Sequence, residues 1–166
     1  MTRDEEGLLK VDSLKAGNLY QRSYWPNGKR IIKLTKSIIF DSFAILKYYQ
    51  DEPGADRVEK LLRSAQRGSI KALMNEINLG EVYCLTIRRI GLEAAKENLE
   101  RLLILPIEII SPYSELIVSA AEIKAQFAIS YADCFTVATA ELFSGSIITG
   151  DPEFKKVEHL VSVDWI

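Results

Sequence analysis

Ile38-Ile39-Phe40-Asp41-Ser42-Phe43-Ala44-Ile45-Leu46 is the stretch on which the fold turns. Three consecutive apolar residues suit a strand buried on both faces, and the run stops at Asp41. The apolar positions that follow, Phe43, Ile45, Leu46 and Tyr49, read as a short helix that ends before Pro53-Gly54. A buried strand running straight into a helix is the unit of a parallel sheet, because parallel strands are joined by a crossover that covers the sheet.

The unit recurs downstream. Val58, Leu61, Leu62 and Ala65 repeat at helical spacing up to Gly68-Ser69, and Ala72-Leu73-Met74 is a second strand. Ile77 to Ile90 sets Leu79, Val82, Tyr83 and Ile87 on or near one helix face. Leu92 to Leu103 is another helix, and Ile107 to Ile110 is a third strand closed by Ser111-Pro112. Leu116 to Phe127 and Asp133 to Leu142 are Ala-rich helical stretches. Ser146-Ile147-Ile148 is a fourth strand ending at Thr149-Gly150-Asp151, and Leu160 to Ile166 a fifth at the edge. The alternation predicts an α/β fold with a mainly parallel sheet of four to five strands between helical layers.

Residues 1–36 break this rhythm. Tyr20 to Trp25 and Lys29 to Thr35 flank Pro26-Asn27-Gly28, a hairpin signal, so the chain divides into an N-terminal extension (1–36), read as a basic hairpin or arm, and a folded domain (37–166). The extension carries eight Lys/Arg against four Asp/Glu, the remainder thirteen against nineteen. With a net charge of −2 over 166 residues, bulk charge does not mark a nucleic-acid binder, so any such binding must be local or come through metal. No apolar run is long enough for a membrane span and the start lacks a leader's apolar core, so the protein is expected to be soluble and cytoplasmic. Cys84 and Cys134, far apart in apolar helical segments, are expected to be free, buried thiols in a reducing compartment.

Ligands in open parallel sheets collect beyond the carboxyl ends of the strands. Asp41 and Asp151 follow strands, Asp133 opens a helix, and Glu81 lies within the helix after the second strand, so four carboxylates can converge at that edge. An aspartate after a strand is by itself more often a helix cap than a ligand. Glu81, in an apolar helix, is costly to bury unless paired or liganded. Unit charges about 4 Å apart repel by roughly 4 kcal/mol at an effective dielectric near 20, so such a cluster binds protons or a cation. All-oxygen donors select Mg²⁺, with Mn²⁺ as substitute. The inventory offers no rival machinery, since His159 is the sole histidine and neither cysteine has an obvious histidine partner. A metal that lowers the pKa of bound water then supplies nucleophile and electrophile for phosphodiester hydrolysis. Ser42, Asn78 and Thr149 are candidates to orient the carboxylates from behind, whereas Thr136 reads as an ordinary helix residue and Glu76 as solvated.

Ile38-Ile-Phe-Asp41-Ser42, Asn75-Glu76-Ile77-Asn78-Leu79-Gly80-Glu81, Ser130-Tyr131-Ala132-Asp133 and Ile148-Thr149-Gly150-Asp151-Pro152-Glu153-Phe154 together resemble the PIN-domain family, and within it the VapC-type toxins of prokaryotic toxin–antitoxin pairs. The resemblance spans Ser37 to Ile166. It implies a three-layer α/β/α PIN-like domain with Asp41, Glu81, Asp133 and Asp151 as its acids. It further implies a Mg²⁺- or Mn²⁺-dependent endoribonuclease acting on structured RNA such as tRNA or rRNA, a homodimer, and a cognate antitoxin partner. Residues 1–36 have no counterpart in the family pattern. Arg22, Lys29, Arg30 and Lys33 in the extension, and Arg88, Arg89, Lys155 and Lys156 near the acids, are candidate phosphate contacts. A PIN-fold module that binds RNA or antitoxin with little turnover is the alternative. A phosphoaspartate-type phosphohydrolase fits less well, because the second Asp expected two residues after Asp41 is Phe43.

Overall fold

A computed structural model describes residues 36–166; the expected basic hairpin and Arg22, Lys29, Arg30 and Lys33 lie outside the described residues. Strand β1 (Lys36–Phe40) is followed by helices α1 (Ser42–Tyr49) and α2 (Ala55–Gln66), then by β2 (Ile70–Asn75), α3 (Glu76–Ile90), α4 (Leu92–Leu103) and β3 (Glu108–Ile110). Helices α5 (Ser114–Gln126) and α6 (Tyr131–Leu142) lead to β4 (Ser146–Thr149), a 3-10 turn (Pro152–Lys156) and β5 (Ser162–Trp165).

Side chains alternate across a strand, and here both faces are apolar. Ile38, Phe40, Ala72, Met74 and Ile148 point into one core with Ala44 and Ile45 of α1, Val58 and Leu62 of α2, Val82 of α3 and Leu102 of α4. Ile39, Leu73 and Ile147 point the other way, against Leu116, Ala120 and Ile123 of α5 and Phe135, Val137 and Ala138 of α6. The result is the expected α/β/α sandwich, with five strands all parallel. No helix among the described residues is long and apolar enough to cross a membrane.

The strand order is β3-β2-β1-β4-β5, so the chain lays β2 and β3 on one side of β1 and then returns to lay β4 and β5 on the other. Connections leaving the carboxyl ends of β1 and β4 therefore diverge, and a crevice opens between them. Pairing of Phe40 with Ile148 brings Asp41 and the Thr149-Gly150-Asp151 segment to the same end of the sheet.

Two sequence expectations need correction. Helix α6 begins at Tyr131, capped by Ser130, so Asp133 is its third residue and does not open it. The hydroxyl of Ser130 accepts from the Asp133 amide (3.0 Å) and the Asp133 carboxylate accepts from the Ser130 amide (3.2 Å), which starts the helix earlier. Cys134 is buried as expected, but Cys84 is exposed. The buried stripe of α3 runs through Asn78, Val82 and Thr86, and Cys84 lies about 200° around the helix from either neighbour in that stripe.

Candidate active site

Asp41 ends β1 and caps α1: one carboxylate oxygen accepts from the Ala44 amide at 2.9 Å and the other from the Thr149 hydroxyl at 2.6 Å. The Thr149 oxygen in turn accepts from the Asp151 amide at 2.9 Å, so a single hydroxyl ties the ends of β1 and β4 together. Asp151 caps the 3-10 turn by accepting from the Glu153 amide at 2.8 Å, with Pro152 at the first turn position, where a missing N–H costs nothing. A side chain on residue 150 would strike Phe43 and the Ile166 carbonyl (2.6 and 2.8 Å from its Cβ), so only glycine lets the chain pass to Asp151.

Glu81 projects from the middle of α3, half-buried, and Asp133 from the first turn of α6. These helices are held together behind the acids by Asn78, whose amide donates to the Ala132 carbonyl at 3.3 Å, while the Ser42 hydroxyl donates to the Asn78 carbonyl at 3.1 Å. Asn78 is fully buried and its side-chain oxygen has no hydrogen-bond partner among the described residues. Asn75, at the end of β2, caps α3 through the Ile77 amide and donates to the Thr139 hydroxyl at 3.3 Å, a further tie to α6.

Asp41, Glu81, Asp133 and Asp151 line one cleft of about 220 Å³, together with Ser42, Ser130 and Glu153 and an apolar wall of Phe43, Leu46 and Leu85. The structure thus brings all four predicted acids to one opening. Ser42 reaches it, and Thr149 and Asn78 stand behind it. Thr136 only back-bonds to the Ala132 carbonyl within its own helix, and Glu76, Arg88, Arg89 and Lys155 are exposed. His159 packs against Phe127, ring centroids 5.5 Å apart, and is not among the cleft residues.

Burial raises the Asp41 carboxyl to about 7; the bonds from Thr149 and Ala44 oppose the rise, and the charges of Asp133 and Asp151 add to it. Asp133 rises to about 6, again mainly through burial, with Asp151 and Glu81 adding repulsion and Ser130 opposing it. The cleft therefore holds protons more tightly than isolated carboxyls do, and a cation relieves the same strain.

The donor set is all oxygen, which suits a hard divalent cation. Among the described residues no three Asp, Glu, His or Cys side chains come together closely enough to hold a metal ion by themselves. That does not conflict with magnesium, which takes one or two carboxylates and fills its remaining positions with waters and substrate phosphate. The residues present fit such an ion in an open cleft.

A family model for the PIN domain matches residues 38–160. The chain belongs to the PIN-domain family. No curated protein matches it in sequence. Among solved structures, this PIN domain is similar to a Rickettsia felis VapBC2 complex bound to promoter DNA (TM-score 0.64, 15% identity, covering 78% of this chain and 98% of that one). It is also similar to the Salmonella typhimurium VapBC complex on DNA (0.61, 13%, 78% and 98%). A third similar structure is Mycobacterium tuberculosis VapC20, a toxin that cleaves the sarcin–ricin loop (0.57, 17%, 72% and 94%).

Sequence reasoning missed Glu153 and Ser130 as parts of the cleft. Ser130-x-x-Asp133 is a legible capping-box pattern. Glu153 carries no comparable signal, because its partner, the Ser130 amide 3.1 Å away, is 23 residues distant in the chain.

Proposed function

We propose that this PIN domain is a Mg²⁺- or Mn²⁺-dependent endoribonuclease, the toxin of a type II toxin–antitoxin pair. The observation that carries the reading is the convergence of Asp41, Glu81, Asp133 and Asp151 on one cleft at the β1–β4 crevice of a PIN-family chain. A bound divalent ion supplies water activation and neutralises charge on the scissile phosphate. The chain's own groups prepare for it. Thr149 and the Ala44 amide fix the Asp41 carboxylate, Asn78 and Ser42 lock α3 against α1 and α6, and the apolar wall of Phe43, Leu46 and Leu85 restricts water on one side.

RNA as substrate, with tRNA or rRNA as the class, follows from likeness to the VapC toxins, as does the cognate antitoxin. Exposed Ile104, Ile117 and Val118 give a partner protein or a second copy apolar surface to cover. The second reading is a PIN-fold module that binds RNA or antitoxin with little turnover.

One assay separates them. Purified full-length protein cleaves an RNA panel with Mn²⁺ or Mg²⁺, stops in EDTA, and loses at least about 100-fold in rate in folded Asp41→Asn and Asp133→Asn variants. Cleavage that survives both substitutions overturns the site. Tight RNA or partner binding without cleavage, indifferent to EDTA, establishes the binding module instead.

A further inference from the structure

The amide that begins α6 lies between two carboxylates: the Ser130 N–H donates to Asp133 at 3.2 Å and to Glu153 at 3.1 Å. The Asp133 bond is the return half of its capping box. The Glu153 bond comes from across the cleft, out of the 3-10 turn that follows Asp151. A shared N–H of this kind is a three-centre bond, and two acceptors of like charge on one donor repel each other.

The two acceptors are not equivalent. Asp133 faces the cleft with its charge opposed by Asp151 and Glu81. Glu153 is anchored elsewhere, since its carboxylate lies 3.7 Å from the Lys156 ammonium. Lys156 also donates to the Ala128 carbonyl at 2.6 Å, so the 3-10 turn is clasped to the α5–α6 connection at two points. Lys124 holds the same connection from α5, donating to the Ile129 carbonyl at 2.5 Å. Glu153 thus has a contact of its own that does not involve the Asp133 carboxylate.

We propose that Glu153 is a positioning residue that takes over the Ser130 amide when Asp133 turns its carboxylate to a divalent cation. The inference rests on the metal-dependent reading above. Without Glu153, an Asp133 that turns both carboxylate oxygens to the cation leaves the N–H of the exposed N-cap residue Ser130 to solvent. With Glu153, the helix start stays satisfied in both states, and the separation of the Asp133 helix from the Asp151 turn stays fixed.

Hydrogen exchange and Mg²⁺ titration by NMR on the full-length chain test this without reference to turnover. In the wild type, the Ser130 amide is equally protected with and without Mg²⁺. In Glu153→Ala it is protected without Mg²⁺, through Asp133, and loses protection at saturating Mg²⁺, while Mg²⁺ affinity falls about 10-fold. Glu153→Gln, which keeps an acceptor oxygen, restores most of both. The proposal is overturned if Glu153→Ala matches the wild type in Mg²⁺ affinity and in Ser130 protection, or if the wild-type amide itself opens on Mg²⁺ binding. Should Mg²⁺ move no resonance of Asp41, Glu81, Asp133 or Asp151 in the folded wild type, the metal reading itself fails and this inference falls with it.

Discussion

Thr149 shows how much one side chain can carry. Its oxygen donates to Asp41 and accepts from the Asp151 amide, both within 3 Å, in a fully buried position. Thr149→Val keeps the shape and removes the bridge, leaving the Asp151 amide and one Asp41 oxygen without a partner. We expect a loss of about 1–3 kcal/mol in denaturant unfolding and at least about 10-fold in cleavage rate; a variant as active as the wild type would mean the bridge does not orient the acids. The side-chain types at positions 41, 42, 78 and 149 already suggested these roles, because carboxylates need hydroxyl and amide neighbours to hold a rotamer. Whether an aspartate caps a helix or faces a cleft was posed in the sequence as a choice, and Asp41, Asp133 and Asp151 do both. Each spends one oxygen or part of one on a helix or turn start while lining the cleft.

At the scale of elements, helices and strands were legible to within about two residues because both apolar periods are clean. Leu92–Leu103 falls where its spacing put it, and Ala72-Leu73-Met74 lies inside β2. What periodicity hid were the caps: Ser130 moved the start of α6, and Asn75 belongs to both the end of β2 and the start of α3. Exposure of Cys84 escaped notice for a related reason, since α3 is apolar on more than its buried stripe: Ile77 and Leu85 stand exposed beside Cys84. The tightest contact between elements is at Gly150, where β4 leaves the sheet past Phe43 of α1. Gly150→Ala forces Phe43 or the Ile166 carbonyl aside, with an expected cost of about 1–3 kcal/mol. Thermal unfolding checks it, and an unchanged Tm would show that α1 can shift freely.

For the molecule as a whole, the strand order could not be read from the sequence, because apolar runs carry no record of their neighbours. That order is what places the crevice between β1 and β4. Its acids also tune stability. With Asp41 raised to about 7 and Asp133 to about 6, the folded chain binds more protons than the unfolded one between about pH 4 and 7. Stability therefore falls as pH rises through that window. In EDTA, the Tm should drop by several degrees from about pH 5 to about pH 8, and saturating Mg²⁺ should flatten the decline by replacing the protons. A Tm independent of pH in EDTA would show that these carboxyls titrate normally.

The pairing of β1 with β4 also sets a timetable. Thr149 and Asp41 are 108 residues apart in sequence, and Ile38 is matched to Ser146. Contacts so distant form late, after local helices and the neighbouring β1–β2 pair, because closing a long loop is entropically slow to be repaid. During synthesis, Asp41, Glu81 and Asp133 all emerge before Thr149 and Asp151, so a ribosome-bound chain that stops short of β4 has three of its acids but neither the bridge nor the fourth acid that complete the cleft. Harm to the cell's RNA, if this is the toxin proposed, is postponed by topology alone until the last strands dock, which leaves an interval in which a partner can already be waiting.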